Sequence, residues 1–376
     1  MAKSTGKRAA TAAAPKSAAG VLPAQALRAL TQSGAIVLSE PLSARQLQPA
    51  SLDLRLGNVA HRVRASFLPG PTATVESKLN GLLLHTFDLT KGAVLETGCV
   101  YIVPLLEALA LPPGLAGSAN PKSSTGRLDV FTRVIADCAT SFDQIPAGYK
   151  GPLYAEICPQ TFPIVVKQGS TLSQLRLRSG MAQIADAELR QLHAAQHLVT
   201  GGVEDIDNGI ALSVDLIGDQ TGLVGYRAKR HTGVVNVDVS GACPIAEYWE
   251  PIRASNGKRR LILDPDQFYI LASKEAVHVP PAYAAEMMPF NPLVGEFRVH
   301  YAGFMDPGFG HEPAGGSGAR VVLEVRSHKV PFVLEDGQII GRLIYERLTE
   351  LPEMLYGRDL GSNYQGQALK LSKHFK

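Results

Sequence analysis

The chain has 376 residues, of which 36 are glycine and 25 are proline, and its formal net charge is only +3. At roughly 100 to 200 residues per domain this length allows two domains, and a hydrophobic content of 45% can fill the cores of a soluble globular protein. The charge gives no reason to expect a nucleic acid or a membrane as partner, and no apolar run approaches the roughly 18 residues of a membrane span. The four cysteines form no CxxC pair, which argues against disulfide scaffolds and zinc ribbons.

The first segment, residues 1–20, is rich in alanine, lysine and serine and contains no acidic residue. This composition predicts a disordered basic tail, although a transit peptide would have a similar composition. The segment lacks the apolar stretch of a secretion signal, so we expect a cytoplasmic protein.

Beyond the tail, apolar residues recur at helical spacing, namely Leu22, Ala26, Leu27 and Leu30. Gly34 follows at the position of a helix C-cap. One short helix is therefore predicted at the start of the fold.

Most of the remaining chain alternates apolar and polar residues in short segments bounded by turn residues. Examples are VYIVPL, LYAEI, FPIVV and LSQLRL in the first half, and FYILA, VVLEV, VPFVL and LIYERL in the second half. Alternation with a period of two is typical of half-buried strands. The sequence therefore predicts an all-β protein, built of two similar barrels or sandwiches with a few short helices.

The segment NPKSSTGRLDVF, residues 120–131, has the densest group of chemically useful side chains. It combines two cations and two serine hydroxyls with Gly126, and these residues are Lys122, Ser123, Ser124 and Arg127. Charge, hydrogen-bond donors and a close backbone approach are what an anionic cluster of oxygens requires. On its own such a segment is more often a solvated turn, and the functional alternative is a phosphate-binding loop.

Two apolar strand segments each contain a single glutamate, Glu156 in LYAEI and Glu324 in VVLEV. Alternation puts each glutamate on the opposite face from its neighbours, so each could simply face water. The functional alternative is a carboxylate at a cleft that acts as a general base on a water molecule.

The two halves of the chain resemble each other. Similar segments begin at Phe162 and at Val330, and the same offset relates further pairs: Tyr101 to Tyr269, Pro121 to Pro289 and Glu156 to Glu324. A weaker match, at a slightly shorter offset, relates SLDLRLG to SVDLIGD. We infer a tandem duplication with a first domain at residues 21–190, a second at residues 205–350 and a C-terminal tail at residues 351–376.

The tail ends in YGRDLGSNYQGQALKLSKHFK, which is polar and contains glycine. By composition this segment is a disordered tail, and the functional alternative is an arm that folds over a bound ligand.

Several motifs of nucleotide and metal chemistry are absent from the sequence. It contains no GxxxxGKS loop, no GxGxxG between a strand and a helix, and no HxE and PCxxC pairing of the zinc-dependent nucleobase deaminases. We therefore expect any hydrolytic chemistry to use carboxylates and positioned water.

Taken in order, these segments resemble the dCTP deaminase branch of the dUTPase superfamily. QPASLDLRLGN resembles the N-terminal signature of that family, and KSSTGR resembles its phosphate-side motif, which usually begins Arg-Ser-Ser. The two glutamate segments resemble the strand that carries the catalytic glutamate, FMDPGFG resembles an Ile-Asp-Pro-Gly turn, and QGSTLSQLRL resembles a glycine motif. The resemblance covers most of the chain, as two copies of the family domain.

This resemblance implies a distorted jelly-roll β-barrel that assembles into trimers, with active sites at subunit interfaces. It implies metal-free deamination of a cytosine deoxynucleotide, with Mg²⁺ held only by the triphosphate. It also implies catalytic roles for Ser123, Arg127 and a glutamate, and substrate contacts for a larger set: Lys122, Ser124, Gln174, Asp306, Tyr356 and Gln367.

Neither half matches the family pattern completely. In the second half, the positions of the phosphate motif hold Phe290, Asn291, Pro292 and Gly295. In the first half, the Asp-Pro-Gly turn is replaced by Pro146-Ala147-Gly148, and in the tail Asn363 stands where the family has lysine. Either the second copy is purely structural, or the two halves complement each other.

The identity of the catalytic glutamate depends on which halves meet. A closed three-fold ring cannot alternate two kinds of domain, so a ring of like halves would bring Lys122 and Arg127 to Glu156. If unlike halves meet, Glu324 becomes the base. The tail slightly favours this second arrangement because it leaves from the second half, but we expect the ring of like halves and therefore Glu156 as the base.

We expect hydrolytic deamination of dCTP to dUTP and ammonia in pyrimidine deoxynucleotide biosynthesis, with dTTP as a candidate regulator. One alternative is a dUTPase or a bifunctional enzyme that releases dUMP and pyrophosphate, with Asp137 or Asp306 activating water. The other is a non-catalytic nucleotide-binding protein.

Overall fold

The computed structural model describes residues 19–201, 205–254, 259–289, 297–300, 303–327, 329–357, 360, 362 and 364–376. Most of the predicted basic tail lies outside these residues, as do Phe290, Asn291, Pro292, Gly295 and Asn363. Strands dominate the described part and helices are short, so the prediction of an all-β fold is confirmed. No helix in this part is long and apolar enough to cross a bilayer.

The first half begins with the predicted short helix, α1, which Gly34 follows at a φ of 76°. Its elements in chain order are β1 (Gly20–Val21), α1 (Ala24–Gln32), β2 (Ile36–Leu38), β3 (Leu47–Gln48), β4 (Ser51–Arg55), β5 (Val59–Val63), α2 (Val75–Leu82), β6 (Leu83–Asp88), β7 (Ala93–Leu95), β8 (Val100–Ala110), β9 (Leu115–Pro121), α3 (Ser123–Gly126), β10 (Val130–Ala136), β11 (Gln144–Ile145), β12 (Lys150–Pro159), β13 (Ile164–Val166) and β14 (Thr171–Ser179).

The second half also begins with a helix and continues mainly as strands. Its elements are α4 (Asp186–Gln196), β15 (Val199–Thr200), β16 (Ile210–Ser213), β17 (Leu223–Ala228), β18 (Val235–Asn236), α5 (Ile245–Tyr248), β19 (Trp249–Arg253), β20 (Arg260–Leu263), β21 (Phe268–Val277), β22 (Tyr283–Pro289), β23 (Phe297–His300), β24 (Phe304–Met305), β25 (Ala319–Ser327), β26 (Phe332–Glu335) and β27 (Ile339–Arg347). A 3-10 turn at Glu312–Ala314 precedes β25.

Two sheets pack face to face in each half. In the first half, one sheet has the order β11-β9-β14-β4-β3 and the other the order β10-β12-β8-β5-β6. The alternating apolar residues of both sheets meet in one core that contains Leu52, Ile102, Val134 and Leu175. In the second half, the orders are β19-β17-β21-β25-β23 and β16-β27-β22-β24, around a core that the sheets share in the same way.

The strand register repeats between the halves. Ile102 faces Glu156 across the β8–β12 pair, and Ile270 faces Glu324 across the β21–β25 pair, so both partners are displaced by the offset found in the sequence. The β9–β14 and β22–β27 pairs repeat at the same offset. The two halves therefore have the same strand pairing as well as similar sequence segments.

The weaker match between SLDLRLG and SVDLIGD is wrong in register. In the first half the backbone N–H of Arg55 donates to the buried Glu107 carboxylate at 2.7 Å, and in the second half the N–H of Ser213 donates to Glu275 at 2.8 Å. Arg55 and Ser213 therefore correspond in the fold, whereas the sequence match equates Ser51 with Ser213. The position of each strand is fixed by its hydrogen bond to the buried carboxylate. A comparison of short sequence segments cannot detect this contact, because the glutamate lies far away in the sequence.

The halves are joined by a buried charge network. Arg176 of β14 is fully buried, and its guanidinium donates to the carbonyls of Ala285 at 3.0 Å and Met305 at 3.4 Å. Its nitrogens also lie 3.2 Å from the carboxylate of Asp306 and 3.3 Å from that of Glu346. Because a buried guanidinium needs this many acceptors, the network fixes how the two halves meet.

A second contact is formed by strand β18 of the second half, which pairs in parallel with β13 of the first half. Beside it, an aromatic cluster is built from Phe162, Tyr248, Trp249 and Phe375. Because Phe375 is near the C-terminus, this cluster anchors the end of the tail against both halves.

Candidate active site between the two halves

A cavity of about 420 Å³ lies where the two halves meet. Its lining includes every site residue predicted from the sequence except Glu156 and the alternative candidate Asp137: Lys122, Ser123, Ser124, Arg127, Gln174, Asp306, Glu324, Tyr356 and Gln367. The first five belong to the first half and the other four to the second half and its tail, so unlike halves meet within one chain.

The predicted phosphate loop is a single helical turn, α3, between β9 and β10. The N–H groups of Thr125 and Gly126 donate to the carbonyl of Lys122 at 2.8 and 2.9 Å, and the N–H of Arg127 donates to Ser123 at 3.1 Å. This tight turn directs Arg127 inward, so that only 3% of this residue is exposed. The turn therefore forms part of the wall of the cavity, and the solvated-turn interpretation is wrong.

One end of the cavity is rich in cations. The ammonium of Lys122 forms an ion pair with Asp53 and donates to the hydroxyl of Thr171 at 3.0 Å. Arg45 and Lys373 line the same cavity, so three cations face one carboxylate. Burial, followed by the nearby Lys122, lowers the pKa of Lys373, while burial raises the pKa of Asp53 against the opposing effect of Lys122. An excess of positive charge in a partly buried site favours a polyanionic ligand.

Glu324 lines the same cavity from β25. It is 4% exposed, and one of its carboxylate oxygens is 3.8 Å from Nε of Arg127. Burial raises the pKa of Glu324 to about 8, although Arg127 opposes the shift. A carboxyl group with a pKa near neutrality can both accept and return a proton at physiological pH.

Glu156 occupies the matching position of β12 but does not line the cavity. It faces Arg133 directly across the β10–β12 pair, and its carboxylate is 3.0 Å from Nε of that residue. The guanidinium of Arg133 in turn lies 3.7 Å from the ring centroid of Phe142 and covers the carboxylate, which is only 2% exposed. Both glutamates are buried, so the water-facing interpretation is wrong for each, and the arrangement of the chain does not favour Glu156 as the base.

The Asp-Pro-Gly turn positions two of the predicted site residues, Asp306 and Tyr356, at the cavity. Asp306 is held by Arg176, and burial raises the pKa of this carboxyl. Gly308 has a φ of 96°, and the N–H of Tyr356 donates to the carbonyl of Pro307 at 2.8 Å. The turn therefore fixes the start of the tail at the rim of the cavity.

The tail folds over the first half. The guanidinium of Arg127 lies 4.0 Å from the ring centroid of Tyr364 and donates to the side chain of Gln367 at 3.0 Å and to the carbonyl of Lys370 at 2.9 Å. The hydroxyl of Ser372 donates to the carbonyl of Ser124 at 2.8 Å. These contacts order the described part of the tail against the loop, so the disordered-tail interpretation is wrong for these residues, while closure over a bound ligand stays a prediction.

Asp137, the other carboxylate considered for water activation, lies outside the cavity. Its side chain accepts the N–H of Val75 at 2.8 Å, at the start of α2. Its position is that of a helix cap, which explains the residue without a catalytic role.

Sequence reasoning missed Asp53, Arg45, Tyr364 and Lys373. Asp53 lies within SLDLRLG and Tyr364 within the tail, so both were in segments already singled out, but only the folded chain brings them to the cavity. In the part of the chain that the structure describes, no group of three histidine, cysteine, aspartate or glutamate side chains is placed to hold a metal ion.

Comparison with known proteins agrees with this two-part architecture. Residues 18–181 match the family description of the 2′-deoxycytidine 5′-triphosphate deaminase N-terminal domain, and residues 185–375 match the description of its C-terminal domain. The chain is similar to the crystal structure of 2′-deoxycytidine 5′-triphosphate deaminase from Agrobacterium tumefaciens, with 60% sequence identity and a TM-score of 0.83 over 88% of this chain and 99% of that chain.

More distant relatives match parts of the chain. A Halobacterium salinarum protein named dCTP deaminase, dUMP-forming, is 36% identical over 110 residues, which is 28% of this chain and 52% of that protein. A Halorubrum lacusprofundi protein named dCTP deaminase is 25% identical over 190 residues, which is 49% of this chain and 86% of that protein. The match thus spans about half the length of the first of these relatives.

Proposed function

Because the chain belongs to the 2′-deoxycytidine 5′-triphosphate (dCTP) deaminase family, we propose that it hydrolyses dCTP to dUTP and ammonia. The observation that carries the proposal is the placement of Glu324 beside Arg127 in a cavity whose other end holds Lys122, Arg45 and Lys373. A proton-transferring carboxyl at one end and an excess of cations at the other match a cytosine base and a triphosphate.

In the proposed reaction, Glu324 and the hydroxyl of Ser123 hold a water molecule. The ionised carboxylate removes one proton from the water, and the resulting hydroxide forms a bond to C4 of cytosine. Glu324 returns this proton to the ring nitrogen, the proton of the new C4 hydroxyl passes to the amino group, the C4–N bond breaks, and ammonia leaves with C4 left as a carbonyl. The carboxyl can serve in both directions because burial has brought its pKa to about 8.

The triphosphate, which carries its own Mg²⁺, would occupy the end lined by Lys122, Arg45 and Lys373. Ser124 and Gln174 supply hydrogen-bonding groups to this lining, and Tyr356 and Gln367 close it from the tail. Asp306 acts through Arg176, since their ion pair fixes the turn on which the tail begins.

One chain supplies both sides of this site, so the proposed activity does not require a partner copy. The trimer and the regulation by dTTP stay predictions, which the mass of the protein in solution and the effect of dTTP on the rate would test.

The relatives named dUMP-forming favour a second candidate, a bifunctional enzyme that also hydrolyses the product to dUMP and pyrophosphate. Asp53 supports it, because this carboxylate lies at the cationic end, beside Lys122. Ammonia and pyrophosphate should therefore be measured together, with dCTP and with dUTP as substrate.

Ammonia released without pyrophosphate from dCTP is the expected result for a deaminase, and equal amounts of both would indicate the bifunctional enzyme. Thermal stabilisation by nucleotide without release of either product would contradict both and indicate a nucleotide-binding protein.

A further inference from the structure

A second ion pair joins the same two segments as Arg127 and Glu324. Asp129 lies two residues beyond Arg127, and Arg326 lies two residues beyond Glu324 on the same face of β25. The carboxylate of Asp129 is paired with the guanidinium of Arg326. The loop and the strand are therefore linked at two successive points, one inside the cavity and one just outside it.

This second pair is more deeply buried than an ordinary surface ion pair. Asp129 is fully buried, and only 14% of the Arg326 side chain is exposed. The hydroxyl of Thr161 donates to the Asp129 carboxylate and lies 3.0 Å from Nη2 of Arg326. The other terminal nitrogen, Nη1, donates to the carbonyl of Asp266 at 3.0 Å, which fixes the guanidinium from a second side.

The backbone at Asp129 is equally constrained. The residue has a φ of 57°, in the left-handed region that favours glycine, asparagine and aspartate. Its N–H donates to the carbonyl of Gly126 and its carbonyl accepts the N–H of Gln160, both at 2.9 Å. The loop that carries Arg127 therefore ends at a fixed point.

The corresponding position of the first half holds a different residue. Cys158 stands on β12 where Arg326 stands on β25, two residues beyond the respective glutamates. At this position the strand of Glu156 thus lacks the cation that ties the strand of Glu324 to the loop.

We propose that the Asp129–Arg326 pair is a positioning device that holds Glu324 at its distance from Arg127 and aligns it for proton transfer. This inference rests on the proposed deaminase function. Small displacements of a reacting group lower the rate of the chemical step while leaving ground-state binding largely intact.

Asp129→Asn tests the proposal, because asparagine keeps the size of the side chain and tolerates a positive φ. We expect kcat for ammonia release from dCTP to fall about tenfold, with KM changed by no more than about twofold. Arg326→Lys keeps a charge that can still reach Asp129, so a smaller loss of about threefold is expected. Glu353→Gln is the control, since it breaks the exposed Arg28–Glu353 pair between the first half and the start of the tail, and it should leave kcat and KM unchanged.

The double variant Asp129→Asn/Arg326→Met separates positioning from stability. It removes both charges, so Tm should recover towards that of the wild-type protein. For a positioning pair kcat stays low, whereas full recovery of kcat with Tm would overturn the proposal. Should the variants that remove charge fail to fold, Arg326→Lys with wild-type kcat would overturn it. Wild-type protein that releases no ammonia would instead overturn the proposed function.

Discussion

The two halves of the molecule share one strand pairing but contribute different chemistry. The first half supplies the loop of Lys122 and Arg127, and the second half supplies Glu324. At the position that corresponds to Glu324, the first half holds Glu156, which is neutralised by Arg133 of its own sheet. The glutamate at this position of the repeated strand is paired with an arginine of its own sheet in the first half and lines the cavity in the second half. The role of each glutamate is set by the arginine that it meets, which is Arg133 of the same sheet for Glu156 and Arg127 of the other half for Glu324.

The largest difference between the two halves is expected when each glutamate is replaced in turn. Glu324→Gln should lower kcat for ammonia release by about a thousandfold, because the amide cannot accept a proton from water. Glu156→Gln should change kcat by less than about twofold, since that side chain does not line the cavity. A steady-state ammonia assay with both variants measures the difference, and similar losses in the two would refute the division of labour between the halves.

The identity of the catalytic glutamate lies beyond what the sequence can predict. LYAEI and VVLEV have the same local pattern, and the choice between them depends on Arg133 in one case and Arg127 in the other. The strands themselves, the opening helix and the constant offset between the halves are predictable, because they follow from alternation, spacing and direct similarity. The positions of Asp53 and Lys373 in the cavity cannot be predicted in this way, since these residues reach the cavity only through long-range contacts.

The contact between the halves is expected to depend most on Arg176. Arg176→Met should lower the free energy of unfolding by about 3 kcal/mol, because Asp306 would be left buried without its cation, whereas Glu346 keeps Arg178. Arg227→Met is the control: its pairs with Glu250 and Asp264 lie within the second half and are largely exposed, so a loss below about 1 kcal/mol is expected.

Chemical denaturation of both variants measures these values. Equal losses would show that the charges between the halves carry no special weight. A biphasic transition for Arg176→Met would show that the two halves had begun to unfold separately.

The raised pKa of Glu324 predicts how activity depends on pH. Since the ionised carboxylate is the base, kcat/KM should rise with pH through a midpoint near 8 and increase about tenfold between pH 7 and pH 9. The contribution of Glu324 to the free energy of unfolding changes with pH in the opposite direction. The folded protein holds this proton more tightly than the unfolded chain, whose pKa is near 4.5, so the contribution of Glu324 to stability is lost as pH rises from about 4.5 to about 8.

Rates and thermal unfolding of wild-type protein and Glu324→Gln across this range check both signs. The loss of stability assigned to Glu324 between about pH 4.5 and about pH 8 should be absent from the variant. A wild-type rate that is flat from pH 6 to pH 9 would contradict the assignment of Glu324 as the base.

The smallest expected effect concerns the tail, which leaves the second half but acts on the first. Tyr364→Ala removes the ring that covers Arg127, and a contact of this kind is worth about 1 kcal/mol, so KM for dCTP should rise about fivefold with little change in kcat. Tyr364→Phe keeps the ring and loses only the hydroxyl that accepts the N–H of Lys373 at 3.2 Å, so it should bind dCTP almost normally. If Tyr364→Ala lowered kcat more than it raised KM, the ring would be acting on the proton-transfer geometry of Arg127 and Glu324. The second half would then supply the carboxylate and also set the orientation of its partner in the first half.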